Sequence, residues 1–316
     1  MKISVAGAGA FGSSIASVYA KGGHSVKLYS PTNFKELNAT RTPKKLGHIK
    51  LPKEVDIVSS LKKTEESECV FLAVPTQNLA IFCENNNSFL KDRPLIACCK
   101  GIDQATGLRP SEILNKYSSR VAVISGPSFA IDISMGMPTA LVLASTKSDF
   151  LKQLQSDISM QNFRLYRTSD VVGVELGGAL KNIIAIACGV AIGAKQGDSA
   201  RAALMTRGFS EMVAFAKAHG AKEKTLSGLS GLGDLSLTCN SEKSRNFVFG
   251  ISLGCGKTFH KNTTVEGVAT AFAVSQKAEI MGLEMPVTSA VSALLAGSVS
   301  TEAIIHSLLS RPPKEE

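Results

Sequence analysis

The chain has 316 residues, 44% of them hydrophobic, enough to bury a sizeable core, and its length favours two domains over one. Thirty-five Lys and Arg against 26 Asp and Glu give a net charge of +9, which favours an anionic partner such as a phosphorylated metabolite. Trp is absent, aromatics are 6%, and the basic residues are scattered apart from Arg41–Lys45, a pattern that argues against nucleic-acid binding.

The first element is a strand, KISVA, inside an apolar start that could pass for a signal peptide. Glycines break that run and explain it better: Gly7, Gly9 and Gly12 form G-x-G-x-x-G after the strand and before the helical pattern SSIASVYAKGG. In that context the first Gly makes the tight turn, the second admits a pyrophosphate, and the third lets helix and strand pack closely. The helix N-terminus then offers its N–H groups to the anion. The next strand, HSVKLYS, leads into Ser30, Pro31, Thr32 and Asn33, with no carboxylate before Glu36. A ribose 2′-hydroxyl therefore lacks its usual acidic partner, NADPH is permitted, and Lys35 is a candidate for its 2′-phosphate.

Four more apolar runs follow, CVFLAVP, PLIACCKG, VAVISGP and TALVLAS, and together the six predict buried parallel strands with helical crossovers. The expected fold is α/β: a Rossmann-type doubly wound parallel sheet, then an all-helical domain. Ligands of open α/β sheets bind at the carboxyl ends of strands, which singles out Lys100 and the turn at Gly126, Pro127 and Ser128. Phe129 and Ala130 would flank a nicotinamide. Seven cysteines, an odd number without C-x-x-C spacing and mostly in apolar runs, fit reduced thiols in the cytoplasm and no zinc site.

After Thr168 helical periodicity takes over, which places a dinucleotide-binding domain over 1–170 and a helical substrate domain over 171–316. VGVELGGALKNIIAIACGVAIG, ARAALMTRGFSEMVAFAKAHG, ATAFAVSQKAEIMG and TEAIIHSLLSR read as helices, with Gly at the stops after His219 and Met281. NIIAIACGVAIGA is 13 residues, short of a membrane span. Lys181 stands directly before it, and Asn182 is its first residue. On a helix Lys181 leans over Gly177 and Gly178, which would leave a hollow for a substrate carbonyl. Burial would draw such an ammonium toward neutrality, so it could protonate a developing alkoxide. The bland reading, a snorkelling lysine beside an asparagine that ties down a loop, is equally open on periodicity.

Further along, GLSGLGDLSLTC puts Asp234 in a Gly-rich loop, where it could orient Lys181 or simply form a turn. Ser244, Arg245 and Asn246 stand at a helix start, where N–H groups and a guanidinium can clamp a phosphate. GISLG (Gly250–Gly254) matches a nucleophile elbow without the preceding strand, and Gly256, Lys257 and Thr258 match a P-loop end without its first Gly. The tail RPPKEE is expected to fray. These residues leave three enzyme or binding classes open: a dehydrogenase of a phosphorylated substrate, a dehydrogenase of a non-phosphorylated β-hydroxyacid, or a dinucleotide-binding regulator.

Taken together, GAGAFG, CCKG, ISGPSFA, ELGGALKNIIAIACG, SARAALMTRGFSEM, LSGLGDLSLTC, SRNFVFG, VEGVATA and MPVTSAV resemble the bacterial NAD(P)-dependent glycerol-3-phosphate dehydrogenases in order over nearly the whole chain. The resemblance implies interconversion of dihydroxyacetone phosphate and sn-glycerol 3-phosphate with NAD(H) or NADP(H), by a cytoplasmic homodimer that supplies phospholipid synthesis. It also implies that Lys181 is the proton donor and acceptor, and that Lys100, Gly126, Ser128, Asp234, Ser244, Arg245 and Asn246 contact the substrate. On the same ground Ala10, Phe11, Ala130 and Glu266 line the cofactor site together with Gly7, Gly9, Gly12, Lys100 and Arg245. The chain departs from that pattern at Ser30 and Pro31, where the family usually carries Arg or His, and in a shorter segment from Gly256 to Glu266.

Overall fold

Short runs that are apolar on both faces are stable as strands only where helices cover a sheet from both sides. In this computed structural model, which describes residues 1–257, 259 and 264–309, such runs build one eight-stranded sheet. Its strands are β1 (Lys2–Ala6), β2 (Ser25–Tyr29), β3 (Val55–Val58), β4 (Cys69–Leu72), β5 (Leu95–Ala97), β6 (Val121–Ser125), β7 (Thr139–Ala144) and β8 (Phe163–Thr168). The order is β3-β2-β1-β4-β5-β6-β7-β8, with every residue of β4 and β6 buried. Helices α1 (Ala10–Lys21), α2 (Phe34–Thr40), α3 (Thr76–Asn85), α4 (Asn87–Leu90), α5 (Pro110–Leu114), α6 (Ala130–Ser134) and α7 (Ser148–Ile158) connect them. Ile15, Ala16 and Tyr19 of α1 join the sheet core, and the Tyr19 ring packs on Phe71 and Phe163 at 5.2 and 5.6 Å.

Two strands escape the search for apolar runs, because neither is apolar on both faces. In β3 the pattern VDIV exposes Asp56, and in the edge strand β8 alternate residues such as Arg164 and Tyr166 face solvent. The sheet is also not wholly parallel, since β7 runs antiparallel to β6 and parallel to β8. Helix α6 explains the reversal. Its five residues advance about 8 Å, too little to return along a strand of about 17 Å, so β7 must start where β6 ended.

The chain divides into two units, one of Met1–Lys100 with Leu108–Val174, the other of Gly101–Gly107 with the described residues from Glu175 onward. The second unit contains helices and no named strand among its described residues: the body of α8 (Val171–Gly193), then α9 (Gly197–Ala218), α10 (Glu223–Leu226), α11 (Asp234–Cys239), α12 (Arg245–Gly254), α13 (Glu266–Ile280), α14 (Pro286–Leu295) and α15 (Thr301–Leu309). Helix α9 ends at the foreseen stop, with Gly220 at φ +84°. Residues 258, 260–263 and 310–316, which include Thr258 of the P-loop-like match, part of the short segment before Glu266 and the tail, lie outside the described residues.

Helix α8 has 23 residues, one more than the helical pattern VGVELGGALKNIIAIACGVAIG, and as a whole, unlike the 13-residue run within it, is by length and composition apolar enough to cross a membrane; 94% of its apolar window is buried inside the protein. Its neighbour α12 comes unusually close. A Cβ on Gly189 or Gly193 would strike the backbone of α12, and one on Gly250 or Gly254 would strike the backbone of α8. Four-residue spacing on both helices puts glycine against glycine, which is the role of the GISLG stretch. Elsewhere the buried Glu211 of α9 caps α14, accepting from Val287 N at 2.5 Å and from Thr288 N and Oγ1 at 3.1 Å each.

Candidate active site

The residues proposed from the sequence fall into two groups, one in each unit. In the first unit Gly7 has φ +112°, and a Cβ there would lie 2.7 Å from the Ala73 carbonyl oxygen. A Cβ on Gly12 would collide with the Gly7 carbonyl and come 2.9 Å from the Ala73 Cβ. Gly9 differs, for a Cβ there would meet nothing within 4 Å. That is the open cradle an approaching pyrophosphate needs, above a helix whose first turn begins at Ala10 and Phe11 and whose first internal bond runs from Ser13 N to Gly9 O at 3.0 Å. The residues present therefore fit a dinucleotide.

At the end of β2 the Gly7 N–H donates to Tyr29 O at 3.2 Å and the Ser30 N–H to Val58 O at 2.9 Å, with Thr32, Asn33 and Lys35 exposed beyond. Glu36, the first carboxylate after the strand, pairs with Lys44 at 2.8 Å. Arg41 is committed to the carbonyls of Pro52 and Val55, at the start of β3 and therefore at the opposite end of the parallel strands from the Gly-rich turn.

Lys100, Gly126 and Ser128 converge on one oxygen. The Lys100 ammonium donates to Gly126 O at 3.0 Å and the Ser128 hydroxyl donates to the same atom at 3.2 Å. Gly126 holds φ +139°, and Leu141 lies 3.1 Å from where its Cβ would be, so glycine is required by both torsion and space. Pro127, Ser128 and Phe129 then lead, half-buried, into α6 at Ala130.

The second group surrounds Lys181. This lysine is 7% exposed and Asp234 is 0% exposed, and Nζ donates to Asp234 Oδ1 at 2.6 Å and to Thr238 Oγ1 at 2.8 Å. Burial thus does not act alone on the ammonium, because an adjacent carboxylate offsets its desolvation. Thr238 in turn donates to the Asp234 carbonyl at 2.6 Å, which locks the hydroxyl as an acceptor toward Lys181. Nothing in the local sequence marks Thr238. It is recognisable only as the residue one helical turn after Asp234, facing the same way.

Two expectations need correction. Gly177 leaves no hollow for a substrate carbonyl: its missing Cβ makes room for the backbone of Ser230, whose oxygen would lie 2.6 Å away. That backbone belongs to a π-helical turn, Leu229–Gly233, which delivers Asp234 as the first residue of α11 rather than within a loop. The two glycine-rich stretches fit each other, and the fit sets the Lys181–Asp234 distance.

Asn182 extends the group. Its Oδ1 accepts from Asn246 Nδ2 at 2.9 Å, and Asn246 Oδ1 accepts from Gly267 N at 3.0 Å, next to Glu266 at the head of α13. Ser244 and Arg245 do form a helix start, where the buried Ser244 hydroxyl accepts from Phe247 N at 3.2 Å and so caps its own helix. Arg245 is exposed beside it. A buried acid, a guanidinium and a first helical turn in one unit can protonate an oxygen and hold a phosphate.

Among known proteins, the family model described as NAD-dependent glycerol-3-phosphate dehydrogenase N-terminus matches residues 2–151, and the corresponding C-terminus model matches residues 170–306. Glycerol-3-phosphate dehydrogenase [NAD(P)+] of Ruegeria sp. (strain TM1040) is 46% identical over 320 residues, covering 100% of both chains. The protein of the same name from Paracoccus denitrificans (strain Pd 1222) is 46% identical over 318 residues with the same coverage. Among solved structures, glycerol-3-phosphate dehydrogenase from Coxiella burnetii superposes with a TM-score of 0.92 at 34% identity, covering 98% of this chain and 99% of that one. With both of its halves matched in order, the chain belongs to the NAD-dependent glycerol-3-phosphate dehydrogenase family.

Proposed function

We propose that this chain is an NAD(P)-dependent sn-glycerol-3-phosphate dehydrogenase in which Lys181 moves the proton. The observation that carries the assignment is the buried Lys181–Asp234–Thr238 group, in a chain of this family. When bound, the nicotinamide supplies hydride to C2 of dihydroxyacetone phosphate or takes it from glycerol 3-phosphate. As the ketone oxygen gains charge, the Lys181 ammonium gives it a proton, and in the reverse direction the neutral amine removes one from the alcohol. Asp234 holds Nζ in place, helped by Thr238. Asn182 and Asn246 keep the head of α12 in register with α8.

The exposed Arg245 and the first turn of α12 suit the substrate phosphate, and a chain of net charge +9 attracts dianionic substrates. Gly7, Gly9, Ala10, Phe11 and Gly12 would hold the dinucleotide, with Lys100 and Ala130 at the carboxyl ends of the strands. On the same family resemblance we place the enzyme in the cytoplasm, as a homodimer feeding phospholipid synthesis.

The test is to mix purified protein with dihydroxyacetone phosphate and follow loss of reduced-nicotinamide absorbance, with NADH and NADPH in parallel. Turnover is expected with both cofactors, since no free carboxylate ends β2. Folded protein that binds NADH but turns over only non-phosphorylated hydroxyacids would refute the substrate. Arg245→Ala should raise KM for dihydroxyacetone phosphate by about 10- to 100-fold, the worth of a charged hydrogen bond, with a smaller change in kcat. An effect confined to cofactor affinity would contradict the phosphate role.

A further inference from the structure

The sheet order puts β1 between β2 and β4, so a dinucleotide lying across the strand ends has its adenosine half toward β2 and β3 and its nicotinamide half toward β4, β5 and β6. The turn after β6, Gly126 to Ala130, therefore belongs to the nicotinamide half. That turn is pinned at its start by Lys100 and Ser128, both donating to Gly126 O. Its far end needs a second anchor, because α6 is only five residues long and cannot hold itself in place.

We propose that Ser14 is a positioning residue that sets the nicotinamide half of the site by fastening α6 to the first turn of α1. The Ser14 side chain is buried, one turn past Gly9. Its hydroxyl donates to Ala130 O at 2.6 Å and lies within hydrogen-bond reach of Ala10 O at 2.8 Å, so one proton serves the two backbone carbonyls. Ser14 Oγ also accepts from the Ser134 hydroxyl at 2.8 Å, at the last residue of α6. Lys21, near the end of α1, donates to Ser134 O at 3.0 Å and satisfies that helix's C-terminal carbonyl. Ser14 thus ties Ala10, at the pyrophosphate cradle, to Ala130, at the head of α6. Ala10 stays in place within α1, whose own ladder begins with Ser13 N on Gly9 O, whereas α6 loses its bond at Ala130 O, so the loss of the Ser14 hydroxyl falls on the nicotinamide end of the cofactor.

On the reading of this unit as dinucleotide-binding, on which the assignment rests, Ser14→Ala in the full chain should weaken NADH about fivefold in a fluorescence titration. Binding of ADP-ribose, which has the adenosine and pyrophosphate but no nicotinamide, should stay unchanged. Lys21→Ala, at an exposed side chain that the fold tolerates, should shift NADH the same way by about twofold and again spare ADP-ribose. Equal weakening of both nucleotides would mean that Ser14 supports α1 in general, and unchanged NADH in both variants would mean that α6 is held without it; either overturns the proposal. A wild-type chain that binds neither nucleotide would overturn the dinucleotide reading and the proposal with it.

Discussion

Lys181→Met is expected to lower kcat for dihydroxyacetone phosphate reduction by about 10²- to 10⁴-fold, the usual contribution of a positioned acid, while NADH affinity stays near that of the wild type. Methionine retains most of the side-chain volume, so packing around α8 changes little. The charge does change. Asp234, 0% exposed, loses the ammonium at 2.6 Å, and breaking a buried pair this way costs about 3–5 kcal/mol of stability. Lost stability and lost chemistry can be separated with the double variant Lys181→Met/Asp234→Asn, which removes the orphaned charge. Chemical denaturation should show much of the stability restored, and the progress curve should remain flat. Turnover within a factor of a few of wild type in either variant would remove Lys181 from the proton-transfer role.

Gly189→Val should lower the unfolding free energy by about 1–3 kcal/mol, the usual range for overpacking, and should raise KM for the phosphorylated substrate as well. A Cβ at this position would strike the Phe247 carbonyl and come 2.9 Å from Gly250 Cα and Ile251 N, all backbone atoms of α12 that cannot swing aside. Helices α8 and α12 must then part. Because Ser244, Arg245 and Asn246 sit at the head of α12 and Asn246 is bonded to Asn182 on α8, separation loosens the phosphate end relative to Lys181. Wild-type stability and KM in this variant would show that the glycine contact is incidental.

How much was legible beforehand depended on the range of the interaction. G-x-G-x-x-G announced itself because its three glycines act within one turn, and the torsion of Gly7 and the space at Gly12 are local demands. Strands buried on both faces were visible for the same reason. By contrast β3 and β8, the two edge strands of the sheet, carry exposed charged residues that hide them from a search for apolar runs. Lys181 stood out as the one cation in an apolar helix, but its reason for being there did not.

That reason comes from residues 53 and 57 positions away, Asp234 and Thr238, brought to Nζ by a π-helical turn seated on Gly177. Glycine pairs across α8 and α12 and the Ser14 link between α1 and α6 are of the same kind. Composition and spacing along the chain were sufficient for the class of fold, the nucleotide fingerprint and the suspicion about one lysine, since these follow from backbone torsion and hydrophobic period. Which atoms meet, and at what distance, was settled by packing: every such contact joins segments remote in sequence, and their approach is governed by the shapes that the intervening helices can bring together.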